Sequence, residues 1–506
     1  MTFPDRILDL HTHLFNARYV PLSSIIKDAM GVDESILADK VAGLLEALTG
    51  SSYHDPKSKL TDDDTRLEIL WNITRHELLV ATNLKSTSDI EVRLLDNKAL
   101  SDPSLGFLRS SELIHIIEDL SNINYADEGW KGELPKAYEP VLPYRQLDKN
   151  IQVSGFFNWA MGVVKKALYV VTKMMDPDAW HKGENYLEFF LTMLKSEEKM
   201  VSKLFASYGK KLPTLQVVHY MMDMQLAYKS QKSPYYSFHP VQVDRMHTLQ
   251  RNHSAKIFGF SAFDPRRNHW KAYAEDALKK GFLGFKFYPA MGYRPASNDE
   301  SRYLTRGEIQ NIKDFFSFCV CKDVPIFAHC TPDGFQTRDK SGTNAHPKYW
   351  QEVLEIFPNL RLCLGHAGGG HIKNGNVESF GWFADSEGEW DHDDNFARIV
   401  TGLCIDYPNV YCEIGYLTEL FENKSKNLAL FIKNIERARK VKPSFEMAYD
   451  FMDKLAYGSD WHMPEMISKT KEYFNIFLEI MNKNDYKDYL NKFFWENAYR
   501  YLKIQT

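Results

Sequence analysis

The chain has 506 residues, 44% hydrophobic and 25% charged, which is enough apolar material for a large folded core. Its formal net charge is -5, and basic clusters are as short as Lys424 to Asn427, so there is no global positive field to attract nucleic acid. The opening MTFPDRILDL lacks a long apolar stretch, so no secretory signal is expected. The six cysteines, none in a C-x-x-C pair, read as buried free thiols of a reducing, cytoplasmic setting.

The first expected element is a short, mostly apolar run from Arg6 to Leu10, followed at once by His11 and His13. In a strand, side chains at i and i+2 point to the same side, so His-x-His at a strand end aims two nitrogen ligands at one point. Two imidazoles cannot hold a catalytic metal alone, and partners are expected further along the chain.

Residues 14–211 are rich in helix formers, lysine and glutamate, as in ENYLEFFLTMLKSEEKMVSKLFASYGKK, and read as a mostly helical insertion. Leaving from the end of strand 1, this segment is expected to cap the catalytic mouth, with a peripheral bundle as the alternative. Its apolar stretch at 156–175 carries Lys165 and Lys166 at the centre. Each lysine would cost a few kcal/mol in a bilayer, so a buried helix is expected there and no membrane span.

From residue 212 to 506 a β/α rhythm sets in. Strands are expected at 214–220, 256–263, 282–288, 324–329, 360–366, 409–414 and 454–460. Helical spacing with a terminal glycine marks NHWKAYAEDALKKG, and Thr305 with Glu308 forms a capping-box pattern. Counting the opening run, eight strands alternate with helices, and their continuous apolar character suits burial on both faces. The expected fold is a (β/α)8 TIM barrel built from residues 1–13 and 212–506, with the helical insertion at 14–211.

Chemistry in such a barrel gathers where the strands end. Strand 4 delivers Lys286, strand 5 His329, strand 6 His366, and strand 8 Asp460 with His462 close behind. Imidazole nitrogens with a carboxylate suit a divalent ion such as Zn²⁺, with one position left for water. Glu413 after strand 7 and Asp264 after strand 3 are candidates for orienting the ligands. Tyr293, Arg294 and His219 are candidate substrate contacts, Arg294 as a carboxylate clamp or else as a loop salt bridge. His371 reads as pocket lining or structure, and His253, His269 and His346 as structure. GHAGGGH is either an anion-binding nest or a close loop passage, and DSEGEWDHDDN at 385–395 a solvated acidic loop.

The order DLHTH, PIFAHC, YWQEVLEIFPNLRLCLGHAGGG and LAYGSDWH resembles the amidohydrolase superfamily. Pro325 to Gly370 and the ending FFWENAYRYL resemble its amidohydrolase-related branch, which holds metal-dependent hydrolases and relatives of aminocarboxymuconate-semialdehyde decarboxylase. The likeness covers residues 1–13 and about 214–504. It implies that His11, His13 and His329 are metal ligands and that Asp460 is both ligand and proton shuttle. His366 is implied to be a second-metal ligand in two-metal relatives, or an acid/base or substrate contact in one-metal relatives. Lys286 lies in KFYPA, similar to a dihydroorotase stretch whose lysine is carboxylated and bridges two ions. The branch favours one metal, most simply Zn²⁺, with two as the alternative; an unmodified Lys286 would face the substrate or pair with Asp460 or Glu413.

The implied function is a metal-dependent hydrolase that opens a C–N or C–O bond of a small-molecule amide, lactone or ester with a metal-activated water. Non-oxidative decarboxylation of a small carboxylated substrate is the alternative. A non-catalytic metal-binding protein that recruits a partner is the alternative of another class. Expected partners are a small-molecule substrate and a second copy of the chain, without nucleic acid or membrane.

Overall fold

A computed structural model describes residues 2–30, 32–49, scattered positions between 119 and 189, 192–209, 212, and 214–505 apart from 299–302, 333, 335, 338–340, 370–380 and 447. The apolar stretch at 156–175, most of the expected insertion and His371 lie outside the described residues. The chain divides into two compact units. One holds Met1–Phe15, Glu197–Tyr228 and Tyr236–Thr506; the other holds Asn16–Ser196 and Lys229–Tyr235.

In the second unit, α1 (Leu22–Ala29) and α2 (Ile36–Leu48) pack together. Ser35 caps α2 by accepting from the Ala38 N–H at 3.0 Å, and the buried Lys27 ammonium lies 3.2 Å from Asp39 and 3.3 Å from Glu34.

In the first unit eight strands pair in parallel and in sequence order. They are β1 (Ile7–Thr12), β2 (Leu215–Tyr220), β3 (Ile257–Phe263), β4 (Gly284–Phe287), β5 (Ile326–Ala328), β6 (Leu362–Leu364), β7 (Val410–Glu413) and β8 (Leu455–Ala456). The last strand returns to the first. The Leu10 N–H donates to the Tyr457 carbonyl at 3.0 Å, the Asp460 N–H donates to the His11 carbonyl at 2.7 Å, and Thr12 bridges Trp461. This closure makes the (β/α)8 barrel. Leu8, Leu10, Val218, Tyr220, Phe260, Phe327, Cys363 and Ala456 fill its inside, joined by Tyr499 and Tyr501 from near the chain end. Because helices cover the outside, nearly every strand residue is buried, which is why the strands read as apolar runs rather than alternating ones.

The crossover segments carry α3 (Glu197–Ser207), α4 (Val243–Asn252), α5 (Trp270–Lys279), α6 (Arg306–Lys322), α7 (Lys348–Ile356), α8 (Phe396–Asp406) and α9 (Lys424–Ala438), and α10 (Pro464–Met481) and α11 (Asn497–Leu502) follow β8. The capping box at α6 forms as expected, with the Glu308 N–H donating to Thr305 Oγ1 at 3.3 Å and the Thr305 N–H to the Glu308 carboxylate at 2.6 Å. Gly281, at φ +86°, ends the α5 segment as its position suggested. Five cysteines are buried free thiols, whereas Cys321 on α6 is exposed. No helix among the described residues is long and apolar enough to cross a membrane.

Two features differ from simple expectation. Strands β5, β6 and β8 end earlier than their apolar runs, because the backbone turns away at the functional residues: His366 stands at φ +60° and Asp460 at φ +59°. Side chains rarely adopt that left-handed region, and such outliers gather at functional sites. The second is an irregularity in β1, where the register against β2 shifts between Asp9 and Thr12, so that Thr12 pairs with His219. Leu8 and Leu10 face the barrel interior, and strict alternation would turn His11 and His13 outward. The extra residue re-aims both histidines inward, as bulges do beside active sites.

Candidate metal centre

Each histidine of the site is held by one ring nitrogen. His11, buried inside the barrel against Phe327 and Tyr220, donates from Nδ1 to Glu413 Oε1 at 2.8 Å. His13, just past β1, donates from Nδ1 to the Tyr220 carbonyl at 3.0 Å. A carboxylate and a carbonyl can only accept, so in the neutral rings the proton sits on Nδ1 and the lone pair on Nε2. Both lone pairs point at the same carboxylate oxygen: Asp460 Oδ1 lies 3.2 Å from His11 Nε2 and 3.3 Å from His13 Nε2. That oxygen is buried and accepts no hydrogen bond from a described residue.

His366 and His329 form an adjoining pair. His366 donates from Nδ1 to the Gly415 carbonyl at 2.9 Å, which leaves its Nε2 to accept from His329 Nδ1 at 3.1 Å. The His329 ring stacks on Tyr288 with centroids 4.2 Å apart. His366 packs against His11 at 5.0 Å between centroids, joining the two halves of the cluster. Lys286, at 1% exposure, points its Nζ at His11 Nε2 from 3.1 Å and lies over the Phe327 ring at 4.4 Å.

Electrostatics follow from burial and these neighbours. Burial holds His11 well below the usual imidazole range, so it stays neutral and able to ligate. Burial alone would raise the Asp460 carboxyl, but His11, His13 and His366 around it pull it well below the usual carboxylate range. Burial brings Lys286 down to about 8, against the pull of Asp460 and Glu413.

Among the described residues, two groups have donor atoms all within 4.8 Å of one another: His11, His13 and Asp460, and His11, His366 and Glu413. His329, expected as a ligand, is in neither group; its Nδ1 lies 3.1 Å from His366 Nε2. The remaining candidates lie elsewhere. The Tyr293 hydroxyl donates to the Phe263 carbonyl at 3.0 Å and works as loop scaffold. Arg294 donates to Asn344 at 2.9 Å and covers Tyr349, and it forms no salt bridge with a described residue. Asp264 does not orient the histidines; Arg266 binds it with Nε at 2.8 Å and Nη2 at 2.5 Å. His219 sits between the inward-facing Val218 and Tyr220 and so on the opposite face of β2, its ring buried and lowered by burial to about 3.

Asp9 supports the site although the spacing of the histidines does not mark it. Its buried carboxylate accepts from the N–H groups of His11 (3.1 Å) and Ser459 (2.9 Å), from Ser459 Oγ (2.5 Å) and from Tyr208 Oη (2.6 Å). It thus fastens the irregular point of β1 to the turn that carries Asp460. The available signal was an acid in the middle of an apolar strand, two residues before the first histidine.

A family model described as amidohydrolase matches residues 243–504, just over half of the chain. The chain belongs to the amidohydrolase family. It is an enzyme of a metal-dependent superfamily. A search of curated proteins finds no match. Solved structures with a similar fold include a 5-carboxyvanillate decarboxylase from Novosphingobium aromaticivorans complexed with manganese and 4-hydroxy-3-methoxy-5-nitrobenzoic acid. It is 11% identical over 66% of this chain and 88% of that one, with a TM-score of 0.44. An amidohydrolase from Burkholderia multivorans with bound zinc is 12% identical over 63% and 92%, at a TM-score of 0.39. A putative 2-pyrone-4,6-dicarboxylic acid hydrolase from Pseudomonas putida is 12% identical over 61% and 88%, at a TM-score of 0.38.

The donor set of this amidohydrolase fits a divalent cation. Two Nε2 lone pairs and one carboxylate oxygen converge in a buried space, with the Lys286 ammonium 3.1 Å from one of them, and nitrogen and oxygen donors so placed suit a divalent ion. The partners behind each ring are those that orient metal-bound histidines.

Proposed function

We propose that this amidohydrolase hydrolyses a C–N or C–O bond of a small-molecule amide, lactone or ester, using a divalent ion held by His11, His13 and Asp460. Convergence of His11 Nε2 and His13 Nε2 on the unpartnered Asp460 Oδ1 carries the reading. A divalent ion there supplies Lewis acidity and a water that ionises near neutral pH. Asp460 takes the proton of the attacking water and hands it to the leaving group. His366, its Nδ1 anchored on the Gly415 carbonyl and its Nε2 paired with His329 Nδ1, serves as the second acid/base group, with His329 as the neighbour that exchanges its proton. The aromatic wall of Tyr220, Phe327 and Tyr288 around Lys286 shields the reacting atoms from water.

One observation favours decarboxylation as a second reading. The Lys286 ammonium is a buried cation 3.1 Å from a ligand nitrogen, placed to hold a substrate carboxylate beside the ion. Assay of the zinc- or manganese-loaded enzyme on lactones, amides and carboxylated aromatics, following acid release and CO₂ release separately, decides between them. Turnover of none of these classes by protein of full metal content would overturn both.

A further inference from the structure

We infer that Glu413 is the positioning residue of the centre: one carboxylate that sets the tautomer of His11 and, through the same oxygen, fixes the turn that carries His366. Nothing in the ligand motif requires an acid at the end of β7. The geometry assigns it a task. Glu413 Oε1 accepts from His11 Nδ1 at 2.8 Å and from the His366 N–H at 2.8 Å, and Oε2 accepts from the Gly415 N–H at 2.5 Å. The residue is wholly buried, so each of those donors lacks water as an alternative partner.

Two glycines of the sequence are explained by this seat. A Cβ at Gly458 would stand 2.0 Å from Glu413 Oε2 and 3.0 Å from the His11 Cβ. At Gly415 it would meet Glu413 Oε2 at 2.9 Å and His11 Nδ1 at 3.1 Å. The glycines of EIGY and YGSD therefore form a floor on which the carboxylate lies. Glu413 and His366 also fall within ligand distance of His11, which would allow a second ion. Three donors already occupy the carboxylate, and His366 reaches it through the main chain, so its role is orientation rather than ligation.

Chemically, an ionised acceptor behind His11 holds the proton on Nδ1, leaves the Nε2 lone pair facing Asp460, and makes that nitrogen more basic. Glutamine cannot replace it. If the amide oxygen serves His11 and His366, the NH₂ faces the Gly415 N–H, and if it is flipped, donor meets donor at both of the others.

This inference rests on His11 being a ligand, and the test separates the two. Zn²⁺ alone is titrated into the metal-stripped full-length chain against a chromogenic chelator, for wild type, Glu413→Gln, Gly458→Ala and His11→Gln. Selective ¹⁵N-histidine NMR is recorded on the metal-free proteins, with the His11 signals identified by their loss in His11→Gln. Expected is a fall in Zn²⁺ affinity of about 10–100-fold for Glu413→Gln and for Gly458→Ala, which crowds the carboxylate without removing it, and a larger loss for His11→Gln. The wild-type spectrum is expected to show His11 protonated on Nδ1, giving way to mixed tautomers in Glu413→Gln. Unchanged affinity in Glu413→Gln, or a wild-type His11 protonated on Nε2, overturns the inference. Unchanged affinity in His11→Gln instead overturns the ligand reading, and the tautomer then still decides the role of Glu413. If Glu413→Gln does not fold, the wild-type spectrum and Gly458→Ala decide it.

Discussion

Replacing Asp9 tests the claim that a buried acid, remote from any reacting atom, aims the histidines. Four donors meet its carboxylate: the His11 and Ser459 N–H groups, Ser459 Oγ and Tyr208 Oη. In Asp9→Ala the two hydroxyls can turn elsewhere, since Tyr208 already lies 3.3 Å from Tyr457 Oη. The two backbone N–H groups have no such freedom, and each buried donor left unpaired costs about 1–3 kcal/mol. The expected loss is therefore about 2–6 kcal/mol, a large part of the roughly 5–15 kcal/mol that a domain has in all. Asp9→Asn keeps one oxygen for the two N–H groups and offers its NH₂ to the hydroxyl oxygens. It trades charge-assisted bonds for neutral ones, at a cost of about 1–2 kcal/mol. Urea unfolding of the metal-free chain should rank wild type, Asn and Ala in that order, with Zn²⁺ affinity following the same rank because the irregularity in β1 relaxes. An alanine variant as stable as wild type, or an asparagine variant as damaged as alanine, would refute the assignment.

Asp460→Asn should leave circular dichroism unchanged while turnover falls by about 10²–10⁴-fold; near-normal turnover would remove Asp460 as proton shuttle. Metal analysis after growth with zinc and bicarbonate should give one equivalent per chain, kept in Lys286→Ala, whereas two equivalents lost together in that variant would point to a carboxylated, bridging lysine. His346 is lowered by burial to about 4 from 6.5; its Nδ1 accepts from the Lys348 N–H and its Nε2 donates to Asp394. Between these values the unfolded chain binds a proton that the folded chain does not, so this contribution is complete above pH 6.5 and is lost as pH falls toward 4. His346→Gln should flatten the fall in melting temperature over that window, by up to about 3 kcal/mol in stability; an unaltered slope would show that the imidazole does not titrate there. Thr305→Ala removes the α6 cap and should cost about 1 kcal/mol in chemical denaturation, and no measurable cost would mean that the helix start is held by packing alone.

Local spacing carried much of this protein. The β/α rhythm, the capping box at Thr305 and the strand-end histidines all depend on residues a few positions apart, where φ/ψ preference and side-chain periodicity act directly. Strand order followed, because parallel neighbours joined by helices have few ways to close. The family likeness in PIFAHC and YGSDWH belongs to the same level. What the sequence left open depends on contacts between residues hundreds of positions apart. His11 and His13 face inward only because β1 slips register against β2 while Asp9 holds the slip from the far end of the chain, through Ser459. Nothing in RILDLHTH marks that extra residue; by strand parity alone its leucines and its histidines belong on opposite faces. Glu413 and Asp264 read alike as strand-end acids, yet one lies behind His11 and the other is bound by Arg266 two residues away. Which acid serves the metal centre is decided by barrel closure, since closure brings the end of β7 within reach of His11 and seats the Glu413 carboxylate over Gly415 and Gly458.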